Sequence, residues 1–129
     1  MKPEKTDKYR DISVQGLAHI GDAVFELMIR TWLCETGVSN AKNLHTGAVT
    51  YVSAKAQASA VEKILPLLDE EETGIYKRGR NTHVSSVPKG STHDEYHAAT
   101  GIEALFGHLY LKGETERLNE LFSVIIKEK

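Results

Sequence analysis

Cysteine is almost missing from this sequence. Cys34 stands alone, which excludes an intrachain disulfide and a cysteine-based zinc knuckle, and predicts a buried, inert thiol. A basic excess is missing too: 16 Lys and Arg against 18 Asp and Glu leave a net charge of -2. Phosphate-binding chains normally carry a positive excess, so the total argues mildly against nucleic acid and any such contact must come from a local patch. No apolar run reaches membrane-spanning length before Asp, Glu, Arg or His interrupts it, and the first five residues, Met1 to Lys5, lack the apolar core of a signal peptide. The expectation is a cytoplasmic protein with no membrane partner. Strand-like alternation is absent over any useful length, which leaves an all-α chain.

What is present fits that class. With 129 residues, 40% of them hydrophobic and 26% charged, the chain has material for one core, so residues 1–129 are read as one domain. Residues 1–10 are polar and aperiodic, a loose N-terminal arm. Six helices follow from capping and stop signals. The first starts at Asp11 or Ser13 and runs to about Thr36, with Gly37 as its stop. Asn40 caps a second, to about Tyr51; Ser53 caps a third, Ala54 to about Leu65, ended near Pro66. Asp69 and three glutamates suit the positive N-terminus of a fourth, and Lys77, Arg78 and Arg80 its other end. The acidic run is therefore read as a cap and not as a metal site. Residues 81–91 form a loop, Ser91 or Thr92 caps a fifth helix to about Leu111, and a sixth runs from Glu114 to about Lys127.

Two acids stand out. Asp22 lies in the middle of the apolar run from Val14 to Leu33, where Leu17, Ile20, Val24, Leu27 and Met28 mark a core-facing stripe. Asp is a poor helix former, and a buried carboxylate needs a partner. Glu103 is placed similarly in Thr100-Gly101-Ile102-Glu103-Ala104-Leu105-Phe106-Gly107. If the two helices lie side by side, the pair makes a nest for a hard divalent cation such as Mg²⁺; a solvated or salt-bridged Asp22 is the plainer alternative. His93 and His97, one turn apart, have a spacing that can bind zinc, but Glu95 is not where zinc-protease helices place their general base.

Gly21-Asp22-Ala23-Val24 and Glu103-Ala104-Leu105-Phe106-Gly107 resemble the paired motifs of the ribonuclease III catalytic domain. More closely, the span from Gly16 to about Leu118 resembles Mini-ribonuclease III, the short branch of that family. It does so through Ile20-Gly21-Asp22-Ala23, Val52-Ser53-Ala54-Lys55-Ala56-Gln57-Ala58 and Lys77-Arg78-Gly79-Arg80-Asn81. The resemblance implies a ribonuclease III endonuclease-domain helical bundle with no room for a separate double-stranded RNA-binding domain. It also implies a Mg²⁺-dependent homodimeric endoribonuclease that cuts double-stranded RNA. The substrate implied is the precursor of large-subunit (23S) ribosomal RNA, with a pre-ribosomal particle or ribosomal protein among the partners.

Asp22 and Glu103 would be the catalytic, metal-holding acids. The larger family has four, and here Ala18 and Thr100 stand where it has Glu and Asp, as the short branch does. Thr100 and Glu26 would support the pair from behind, although Glu26 suits an i, i+4 surface pair with Arg30 slightly better. Lys55, Lys77, Arg78, Arg80, Asn81 and Lys89 would contact the RNA backbone, with hydroxyls from Thr82, Ser85 and Ser86. His97-Ala98-Ala99 departs from the Arg-Tyr-Ser of relatives, so no role carries over there. The rival reading is a catalytically inactive helical RNA-binding or ribosome-associated module of the same fold; a zinc hydrolase on His93 and His97 is a weaker one.

Overall fold

The computed structural model describes residue 9 and residues 11–82 and 89–127. The arm over residues 1–10, apart from Tyr9, and Ser85 and Ser86 of the expected loop lie outside the described residues. Among the described residues there are six α-helices and no strand. They are α1 (Val14–Glu35), α2 (Ala41–Val52), α3 (Ala54–Ile64), α4 (Glu70–Arg80), α5 (His93–Leu111) and α6 (Thr115–Ile126), with a 3₁₀ turn over Leu65–Leu67 after α3.

Each start is set by a side chain that accepts from an otherwise unpaired backbone N–H. Ser13, Asn40, Ser53, Asp69 and Thr92 do this for α1 to α5, and at α4 and α5 the N3 glutamates, Glu72 and Glu95, complete capping boxes. Gly37 and Gly113 follow α1 and α5 with positive φ, +102° and +75°, where a side chain would be strained. The third helix ends one residue earlier than expected, because Pro66 tightens the chain into the 3₁₀ turn.

α5 is the central element. Its buried residues, Ala99, Gly101, Ile102, Ala104, Leu105, Phe106, Gly107 and Leu109, run almost all round it, as expected of a helix enclosed by neighbours. It packs against α1, α3, α4 and α6. Phe25 of α1 meets Phe106 edge-on at 5.4 Å between ring centres and Phe122 of α6 at 6.4 Å, a favoured aromatic arrangement. α4 is clamped from below: Glu72, buried, receives Arg117 of α6 at 2.8 Å and 2.7 Å, and the same guanidinium reaches the Leu67 carbonyl. The acidic run therefore caps and anchors a helix, as its position at an N-terminus suggested.

Two sequence expectations need correction. The core side of α1 is Leu17, Ala18, Gly21, Phe25, Ile29 and Leu33, not the stripe through Ile20, Val24, Leu27 and Met28; Leu27 is 65% exposed. Both sets follow helical period, and the partner helix α5 chose the one whose small residues, Ala18 and Gly21, allow close approach. Cys34 is exposed rather than buried, because Leu33 beside it takes the core-facing position at the end of α1.

Candidate active site

The meeting of α1 and α5 decides where the two acids lie. A Cβ on Gly21 would fall inside the Glu103 carbonyl and 2.8 Å from the Gly107 nitrogen, and one on Gly107 would fall inside the Leu17 carbonyl. Two glycines therefore let the backbones touch, and Asp22, next along the chain, is brought against Glu103. The carboxyls are close enough for the charge of Asp22 to act on Glu103. Asp22 lies on the exposed side and Glu103 is largely enclosed.

Burial, foremost, and then the negative charge of Asp22 push Glu103 up to about 8, helped by a hydrogen bond to Asp22 and opposed by Gln57. Two close carboxylates cannot both ionise cheaply, so Glu103 holds its proton well above the usual carboxylate range. A divalent cation relieves the same repulsion by taking that proton's place. Among the described residues no group of three or more His, Cys, Asp and Glu side chains converges. A pair of carboxylates matches the modest protein share that Mg²⁺ takes while keeping several of its waters.

Gln57, on α3, is the residue that sequence reasoning passed over although it stands in a quoted motif. It shares the buried face of its helix with Ala60, Val61 and Ile64, is only 2% exposed, and its Nε2 has no hydrogen-bond partner of proper geometry. That nitrogen still lies near enough to the Glu103 carboxyl to favour its charged form. The available signal was a lone amide at helical period within an apolar stripe. An unpaired buried donor costs about 1–3 kcal/mol, so this atom fits a ligand or a charged neighbour better than it fits a sealed core.

The remaining expected residues divide. Glu26 accepts from Arg30 Nε at 3.0 Å and is engaged there. Thr100 donates to the Tyr96 carbonyl of its own helix at 3.0 Å. Lys55, Lys77, Arg78, Asn81 and Lys89 are exposed. Arg80 lies over the Tyr76 ring, 5.7 Å from its centre, with its Nε donating to Asn81 at 3.2 Å. Gly79 touches Ala104 and Gly101, so Arg80 and Asn81 leave α4 within a turn of the Glu103 neighbourhood. Arg78 instead lines a groove of about 620 Å³ with Leu17, Ile75, His108 and Lys112, on a different side of α4 from Arg80. That groove contains neither Asp22 nor Glu103. The His93 and His97 rings stack 6.2 Å apart, and among the described residues no third ligand joins them.

Residues 15–114 match the ribonuclease III domain family. The chain is 42% identical over 122 residues to a Mini-ribonuclease 3 of Enterococcus faecalis, covering 93% of this chain and 92% of that one. It is 44% identical over 105 residues to the Mini-ribonuclease 3 of Symbiobacterium thermophilum, 81% of each chain. In three dimensions it superposes on the crystal structure of a Fusobacterium nucleatum protein with TM-score 0.84 at 36% identity, covering 92% of this chain and 91% of that one. A carboxylate pair on two glycine-joined helices, a family match over most of the length and Mini-ribonuclease 3 relatives matched over most of theirs make this chain a member of the ribonuclease III family, an endoribonuclease of that type.

Proposed function

We propose that residues 1–129 act as one catalytic domain, a Mg²⁺-dependent endoribonuclease that cuts double-stranded RNA as a homodimer in the cytoplasm, with the precursor of 23S ribosomal RNA as substrate and a pre-ribosomal particle as its setting. The observation that carries this reading is the close crossing of α1 and α5 at Gly21 and Gly107, which sets the Asp22 carboxylate beside the enclosed Glu103 and concentrates negative charge where a cation is wanted. Asp22 and Glu103 hold the cation; Asp22, on the open side, is the carboxylate the RNA approaches first. A Mg²⁺ held there supplies the charge that polarises the scissile phosphate and lowers the pKa of the attacking water.

The RNA lies across the surface rather than in a pocket. Lys55, Lys77, Arg78, Arg80, Asn81 and Lys89 carry its backbone contacts, and Arg80 is best fixed for the task because Tyr76 and Asn81 hold its guanidinium. Thr100, three residues before Glu103 on α5, sets its carbonyl against Gly79 where α4 crosses α5 and supports the pair from there. Glu26, bound to Arg30, influences the pair only through its charge. Members of the ribonuclease III family act on double-stranded RNA, typically as dimers, and are generally dependent on divalent metal, which agrees with all three parts of the reading.

The test is cleavage of a perfect RNA duplex and of a 23S precursor fragment with Mg²⁺ and with EDTA. Wild type should cut only with Mg²⁺, whereas Asp22→Asn and Glu103→Gln, which keep shape but lose charge, should be at least about a thousandfold slower. Normal cutting by either variant removes the assignment, and indifference to the precursor removes the named substrate.

A further inference from the structure

Gln57 has no part in the reading above, yet it is among the most enclosed side chains in the molecule. It projects from the fourth position of α3, on the face that packs against α5 with Ala60, Val61 and Ile64. Apolar residues satisfy that face. An amide does not, and its Nε2 is shut off from water without a partner. The acceptor beside it is the carboxyl of Glu103. Lys55, Ser59, Glu62 and Lys63 of the same helix are exposed, so Gln57 is the polar side chain that the helix turns inward.

We propose that Gln57 is a positioning residue for the divalent cation: its carboxamide donates to the Glu103 carboxyl and holds it turned toward Asp22, so that the two acids present their oxygens together. This rests on the cation reading of Asp22 and Glu103. The amide suits the task because it is neutral, so it orients a carboxylate without competing with the cation for its charge, as a lysine would. It also stays a donor at every working pH. A donor placed to orient a neighbouring carboxylate explains why a costly buried amide is tolerated in an otherwise apolar face.

The experiment uses the whole chain without RNA and reads Mn²⁺ binding by electron paramagnetic resonance, together with thermal melting and a KM-against-kcat comparison on duplex RNA. Gln57→Leu and the unbranched, same-length Gln57→Met remove the donor and keep the volume. Melting should be unchanged or higher, since a buried unpaired nitrogen is gone. Mn²⁺ should bind about tenfold more weakly, and kcat should fall with KM for RNA little changed. A packing role predicts the reverse, lower melting with intact Mn²⁺ binding, and that result overturns the proposal. Wild type that fails to bind Mn²⁺, or binds it equally well as Asp22→Asn, overturns the cation reading itself. Wild type that binds through Asp22 while both Gln57 variants match it overturns only the role given to Gln57.

Discussion

Glu103 and Glu72 are both enclosed glutamates, and their surroundings drive them in opposite directions. Glu72 is held low by the Arg117 hydrogen bonds, which outweigh its burial. It contributes stability above its ordinary value of 4.5, and that contribution is lost as the pH falls through its lowered value. Glu103 is raised from 4.5 to about 8. The folded chain keeps a proton there that the unfolded chain releases, so stability from this group is full below about 4.5 and is lost as the pH rises through about 8. Cation-free protein should therefore lose a few kcal/mol between about pH 5 and about pH 8.5, and Glu103→Gln should flatten that slope. Melting curves across the range, with EDTA present, check it. A slope that survives in Glu103→Gln would assign the loss to another group.

The helix pair α1 and α5 converts two unremarkable glycines into the close approach that sets Asp22 beside Glu103. Backbone contact at Gly21 and Gly107 leaves no space for a methyl group on either, and the colliding atoms are main-chain ones that cannot rotate away. Gly21→Ala or Gly107→Ala should thus lower stability by roughly 3 kcal/mol or more, a large core-overpacking effect. It should also drive Asp22 and Glu103 apart. The expected signature is a fall in unfolding free energy by chemical denaturation, with activity lost even where the protein remains folded. Gly74, on α4, has open space around its Cβ position, so Gly74→Ala serves as the control and should be neutral or slightly stabilising. If Gly21→Ala is equally mild, the close crossing is not what sets the site.

At the scale of the molecule, the outer side of α1 carries apolar surface that the single chain does not cover. Leu27 is 65% exposed, next to the half-buried Val24 and Met28, while Phe25 and Ile29 are 1% and 0% exposed in the core. A second copy of the chain meeting this face about a two-fold axis would bury it and double the phosphate contacts available to a protein with a net charge of only -2. Leu27→Asp should then give folded monomers with unchanged helicity, whereas Phe25→Asp should unfold the chain, since a charge cannot be left in that core. Sedimentation at micromolar concentration separates the outcomes. A wild type that sediments as a monomer would leave the face on α1 to some other partner.

Much of this was legible in the chain itself, because helices are delimited by local chemistry. Ser13, Asn40, Ser53, Asp69 and Thr92 cap the helices they were expected to cap, and Gly37 and Gly113 follow the ends of the first and fifth, since a cap depends on residues within four positions of it. The all-α class, the six helices and the motifs that carry the family resemblance are of that kind. The side of α1 that faces inward was not. Leu17-Ile20-Val24-Leu27 and Leu17-Gly21-Phe25-Ile29 both repeat at helical spacing, and hydrophobicity alone favoured the wrong one. The choice was made by the close approach of α5, which small residues permit and large ones forbid. The same packing exposed Cys34, gave Glu26 to Arg30, separated Arg78 from Arg80, and enclosed Gln57 beside Glu103. Periodicity says which residues share a face. Only the fit between two surfaces says which face is buried, and the charge state of Glu103 follows from that fit.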